Sequence, residues 1–186
     1  MRRSMLSTMS LLAITGAALV ATPHASAAEV STATCFVAGS EMALAPGIGL
    51  VPSQQHIRDR GMSITCTGQL GDRHLDPSRS GIWDVDVTTG TRPGPGGTGT
   101  CLTDAGEGHI AVHLPTADGG TLELDGPATY IAAGPGTVLQ GDLGRYHFRS
   151  IALSVPDLSH PEGNCFTAPL QHWLSAGPLM LFDNTQ

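Results

Sequence analysis

The chain has 186 residues, enough for one domain with a real core, and carries 13% charged residues at a net charge of −7. All its basic residues except histidine are Arg, and the acidic balance disfavours a phosphate backbone or an anionic membrane as partner. With 24 Gly and 13 Pro, few windows can hold three helical turns, which excludes a helical bundle.

The first 27 residues read as a secretory signal peptide: Arg2 and Arg3, a short apolar run from Leu11 to Val20, then Ala25-Ser26-Ala27 as a cleavage site. Cleavage after Ala27 leaves a single domain over 28–186 and, with Arg2 and Arg3 gone, takes the net charge from −7 to −9. The apolar run is too short to span a bilayer, and no lipid-anchor motif follows, so a secreted protein with no membrane anchor is expected.

Downstream, short apolar runs alternate with polar residues. Trp83, Val85 and Val87 alternate with Ile82, Asp84 and Asp86; Ile110, Val112 and Leu114 alternate with His109, Ala111 and His113. This is the pattern of half-buried antiparallel strands. Strands are expected near 31–38, 40–45, 61–70, 81–89, 107–114, 120–125, 127–133, 136–141, 145–155 and 165–183, the last broken near Gly177-Pro178. The one helical candidate is Pro52 to Arg60. The fold class is therefore all-β, an antiparallel sandwich or partly closed barrel of about 8–11 short strands.

Two local features qualify this reading. Tyr146 and Phe148 share one face of their strand while Ile151, Leu153 and Val155 share the other. A bulge near Ser150, or burial on both faces, would reconcile them. Thr91 to Thr100 is a Gly- and Pro-rich stretch that matches no phosphate-binding motif and reads as a flexible hairpin loop rather than a domain linker.

Cys35, Cys66, Cys101 and Cys165 form no CxxC motif, and an even count in an exported chain implies two disulfides. Of three connectivities, Cys35–Cys66 with Cys101–Cys165 is preferred, because Cys101 and Cys165 each open an apolar segment.

Two segments stand out: Cys35 to Val51, with an early Cys and the run Ala45-Pro-Gly-Ile-Gly-Leu-Val-Pro52 at its end, and Gly99 to Pro115, where Gly-Thr-Cys-Leu-Thr at Gly99 to Thr103 leads into a Gly-rich strand; Cys165 then precedes Ala168-Pro169. In these segments the chain resembles a largely uncharacterised family of small, Gly- and Thr-rich, cysteine-containing secreted β-proteins of actinobacteria. The resemblance implies export and a sandwich-like β domain, and brings no catalytic residues.

Chemistry-bearing candidates are few. Glu107, His109 and His113 share a strand face, but His109 and His113 stand roughly 13 Å apart along it, too far for one ion with bonds of about 2.0–2.1 Å. Glu107 and His109, about 7 Å apart, could share a metal if another strand added a ligand. Asp84 and Asp86 also share a face and could hold a hard cation, joined by Asp72 and Asp76, or act as an acid–base pair; a solvated outer face is the simpler reading. Trp173, on a predicted face with Gln171 and Ser175, is a candidate sugar-stacking platform if exposed, though a place in the core is the simpler reading; Trp83 belongs to the core. No GxSxG elbow is present, and no cofactor is implied.

The function expected is a non-catalytic extracellular binding or surface/matrix protein of unknown ligand. The alternatives are a secreted hydrolase or metal-dependent enzyme built on Asp84/Asp86 or Glu107/His109, and a protease inhibitor presenting Thr91–Thr100 or Leu158–Asn164.

Overall fold

The alternation seen along the chain places every second side chain on one face, and a sheet with one apolar face must bury it. The computed structural model, which describes residues 31–90, 99–157, 159 and 163–183, shows how: the sheet closes on itself. Among the described residues nine strands form in order: β1 (Ser31–Ile48), β2 (His56–Leu70), the two-residue β3 (Arg73–His74), β4 (Gly81–Thr89), β5 (Thr103–Pro115), β6 (Thr121–Ala133), β7 (Gly136–Leu143), β8 (Tyr146–Pro156) and β9 (Leu170–Asp183). Each long strand pairs antiparallel with its neighbours, and β9 returns to β1, giving an eight-stranded closed barrel with β3 appended to β2. Closure removes the exposed edges that an open sheet would leave for aggregation.

The all-β class and both disulfides are as expected, and the closed barrel decides between the architectures left open. Cys35 and Cys66 face each other directly across β1 and β2, inside the barrel. Cys101 and Cys165 tie the start of the β5 arm to the segment entering β9. β4 and β5 pair as a hairpin, so the Thr91–Thr100 stretch joins neighbouring strands; residues 91–98 lie outside the described ones.

Four local expectations are corrected. Pro52 to Arg60 is not helical: Ser53 bridges Gly99, and β2 begins at His56. The segments 31–38 and 40–45 are one strand, β1, bulged between Val37 and Ser40. β9 runs unbroken through Gly177-Pro178, because Pro178 pairs with Phe36 beside that bulge, where the ladder is already irregular. β8 contains no bulge and is not buried on both faces; its inner face carries Tyr146, Phe148, Ser150 and Ser154, and Ile151, Leu153 and Val155 are exposed outside.

Inside, Trp83, Phe148, Ile57, Ile110, Val112, Leu179 and Leu181 pack as one core, with Trp83 and Phe148 edge to face at 6.2 Å between ring centroids. Glycine lets strands approach where the wall bends: a Cβ at Gly108 would collide with the Asp86 carbonyl, and one at Gly126 with that of Asp142. Side chains fill the lumen, as expected for eight strands. The space left, about 30 Å³ lined by Trp83, Tyr130, Thr137, Ser150 and Ser175 among others, suits one or two water molecules rather than a ligand.

Candidate functional site

Strand alternation sends Asp84, Asp86, Glu107, His109 and His113 outward, so all of them stand on the outer wall of β4 and β5. Asp86 lies opposite His109 in the ladder, Asp84 opposite Ala111, and Glu107 opposite Thr88. Asp84, Asp86 and His109 border a shallow, open depression shared with Asp59 and Arg60; Glu107 and His113 do not line it. Most are already engaged. Asp86 meets the His56 Nε2 at 2.5 Å and Arg58 at 3.0 Å, and its carboxyl is held below the usual carboxylate range, chiefly by the His56 hydrogen bond. The Asp84 carboxylate accepts the Gly61 N–H at 2.6 Å; His109 reaches Asp125 of β6 at 3.3 Å, and His113 reaches Glu123 at 3.6 Å. Asp72 and Asp76 do not join them: they sit in the β2–β4 connection, where Asp76 caps Ser78. Among the described residues, no group of three or more His, Cys, Asp or Glu is placed to hold a metal ion.

Trp173 is not an exposed platform. It points into the barrel end at 7% exposure, and its indole N–H has no protein acceptor. Ser175, two residues on, is buried too, accepting a hydrogen bond from the Ser154 hydroxyl at 3.1 Å. Trp83 is core, as expected. Of the two candidate inhibitor loops, Thr91–Thr100 and Leu158–Asn164, most residues lie outside the described ones.

The feature that sequence reasoning missed is the contrast between the two rims of the barrel. One rim, at the β2–β4, β5–β6 and β7–β8 turns, carries Asp72, Arg73, Asp76, Arg79, Asp118, Asp142 and Arg145. The other is formed by 49–55, 99–102, 134–135 and 163–169; among its described residues there is no Arg, Asp or Glu. Asp104 and Asp157, at the edge of this rim, are buried.

Four large apolar side chains project from this second rim: Leu50, Val51 (79% exposed), Leu102 and Phe166 (76% exposed). The backbone beneath them is firmly tied. The Cys101–Cys165 disulfide crosses the rim, the Cys101 N–H donates to the Gly49 carbonyl at 3.0 Å, and Ser53 and Gly99 exchange two backbone bonds. The Asn164 side-chain oxygen accepts the N–H groups of Phe166 and Thr167 and the Thr167 hydroxyl, all within 3.0 Å, while Cys165 adopts a positive φ of 71°. That turn, short and polar at Asn164, swings Phe166 into solvent. Beside the disulfide lie two grooves. One, about 310 Å³, is lined by Leu50, Val51, Phe166 and Pro169; the other, about 230 Å³, by Val155, Pro156, Leu170 and Trp173.

Beneath the rim a polar layer plugs the lumen. The buried Gln55 side chain accepts the Gly47 N–H at 2.9 Å and donates to Ser53 at 2.5 Å, and the Gln55 N–H donates to the Thr89 hydroxyl at 3.1 Å. Asp104 sits in this layer, bonded to Thr89 and to the Ala105 N–H, and burial raises its pKa to about 6. No family model matches the chain, and no curated protein and no solved structure matches it either. Two disulfides fit an oxidising compartment, and no described helix is long and apolar enough to cross a membrane.

Proposed function

We propose that this is an exported, non-catalytic binding protein that holds an apolar surface of an extracellular partner against the rim that carries Leu50, Val51, Leu102 and Phe166. The observation that carries the reading is the set Leu50, Val51, Leu102 and Phe166, exposed together around the Cys101–Cys165 bridge. Large apolar side chains on a pinned backbone lose little conformational freedom on binding, which is what an interface anchor requires. Grooves on both sides of the disulfide would accept apolar side chains of the partner. The N-terminal Arg2–Ala27 pattern, the two bridges and the resemblance to secreted actinobacterial β-proteins support export.

Peptides selected from a random displayed library against the disulfide-intact protein test the reading. Binders should be rich in Leu, Phe and Trp, weaken at least about tenfold on Phe166→Asp or Val51→Asp, and bind Asp84→Asn like the parent. Binders that the two rim substitutions leave untouched would overturn it.

A further inference from the structure

A second apolar surface lies on the outer wall of the barrel, centred on β8. Ile131, Val138 and Ile151 stand in one cross-strand row over β6, β7 and β8, and Pro178 of β9 pairs with Phe36 of β1. Leu153, between Gly136 and Ala176, and Val155, opposite Leu174, extend the row toward that rim. Ile131, Ile151, Leu153, Val155 and Phe36 are all exposed, Leu153 at 68%. A barrel strand with water outside should alternate apolar-in and polar-out. β8 instead puts Ser150 and Ser154 inside and its aliphatic residues outside, the pattern of a strand covered on its outer face.

We infer that this wall is covered by the same wall of a second copy of the chain. Charge distribution selects that occupant. The chain is net negative, yet between Asp142 and Asp183 at the charged rim and Pro156 and Leu170 at the other, β7, β8 and β9 carry Arg149 and no carboxylate. Among the described residues one exposed carboxylate borders the patch, Glu41 of β1, which lies opposite Leu174 and is paired with His172 at 2.9 Å; the other exposed carboxylates stand on the β4–β6 wall and the far rim, so two acidic copies meet here with little repulsion. Size agrees. β8 with its two neighbours spans about 15 Å, and Arg149 to Val155 about 20 Å. With Phe36 and Ile131 at its flanks, the patch falls on the order of 300–600 Å², the upper end for a monomer. A twofold contact of that apolar core with a rim of Gln140, Arg149 and Met180 approaches the ~800 Å² per partner of a standard interface. Two convex walls cannot bury much more, so the dimer is a weak one, forming in the micromolar range.

Sedimentation velocity of the disulfide-intact protein, from low micromolar to submillimolar concentration, tests this. The wild type should shift toward two chains as concentration rises. Ile151→Glu and Leu153→Glu should weaken association at least about tenfold, while the rim substitution Val51→Asp leaves it intact. Both wall positions are solvent-exposed, so thermal unfolding should stay at the wild-type value; if a glutamate does unfold the barrel, Leu153→Ser makes the same comparison. A wild type that stays monomeric throughout, or a dimer indifferent to the wall substitutions, overturns the inference. Because the rim reading is scored by peptide binding to Phe166 and Val51 variants, the two stand or fall separately.

Discussion

Asp104 of β5 and Tyr130 of β6 face the lumen from adjacent strands as diagonal neighbours, two register positions apart, and each keeps a buried oxygen without a protein hydrogen-bond partner. The two repel electrostatically when charged, and burial with the nearby Asp104 carboxylate pushes the Tyr130 hydroxyl pKa well above its ordinary value. For Asp104 burial is the main cause of a pKa raised from 3.8 to about 6, against the hydrogen bonds from Thr89 and Ala105. A carboxyl whose folded pKa exceeds its unfolded one favours folding most at low pH, where it is protonated in both states. That stability is lost as pH rises from about 3.8 through about 6. The gap corresponds to roughly 3 kcal/mol. Asp104→Asn should therefore flatten the stability profile over that window and raise stability at neutral pH, as read by urea unfolding at a series of pH values.

Asp86 shows the opposite sign on the outer wall. Its carboxyl is held below the ordinary range, chiefly by His56, so its contribution is present at neutral pH and lost as pH falls below the unfolded value of 3.8. It is about two-fifths exposed, so solvent screens the pair, and Asp86→Asn should cost less than about 1 kcal/mol at neutral pH, measured by the same titration.

Phe148 and Leu153 lie on one strand and separate what was legible in the sequence from what was not. The alternations on β4 and β5 predicted both faces correctly: Trp83, Val85, Ile110 and Val112 are inside, and Asp84, Asp86 and His109 outside. That four cysteines form two disulfides was legible too, while the choice among three pairings was only a preference, which the structure matches. Closure was not, because a sandwich and a barrel share the same alternation. The β1–β9 pairing that decides between them joins opposite ends of the chain. Trp173 stayed open as a surface candidate because Ser175, two residues on, is polar yet buried beside Ser154 and Thr137, so the inner face of β7–β9 looks like an outer one; the core is where it lies. β8 misled for the mirror reason, with aliphatic residues on its water side. The rim was missed because Leu50, Val51, Leu102 and Phe166 are scattered over three loops with no period to link them. The excess of apolar residues in Gly- and Pro-rich turns was the available signal.

The same pair makes a stability prediction. Phe148 is fully buried against Trp83, and Phe148→Ala should cost about 3–5 kcal/mol through the cavity it leaves. Leu153→Ala, on the outer wall, should stay within about 0.5 kcal/mol when unfolding is measured on the dilute, monomeric protein. Comparable losses at the two sites would mean that the outer face of β8 is packed within the single chain.

The Cys101–Cys165 bridge closes a loop of 64 residues and anchors the rim, whereas Cys35–Cys66 joins strands already paired through many backbone bonds. By chain entropy each bridge stabilises the fold by about 3–4 kcal/mol. Their local consequences differ. Without Cys101–Cys165, the Phe166 turn keeps its Asn164 bonds but loses its tie to Gly49 and Leu102, so the apolar side chains no longer share one platform. The double variant Cys101→Ala/Cys165→Ala should retain the β-sheet circular dichroism spectrum, unfold at lower denaturant, and show faster amide exchange at the backbone N–H of position 101 and at its rim neighbours Leu102 and Phe166. Amide exchange at Cys66, across the lumen on β2, should stay in proportion to the global stability alone. Uniformly faster exchange over the whole barrel would show that the rim and the wall unfold as one unit, and that the bridge serves the fold rather than the rim.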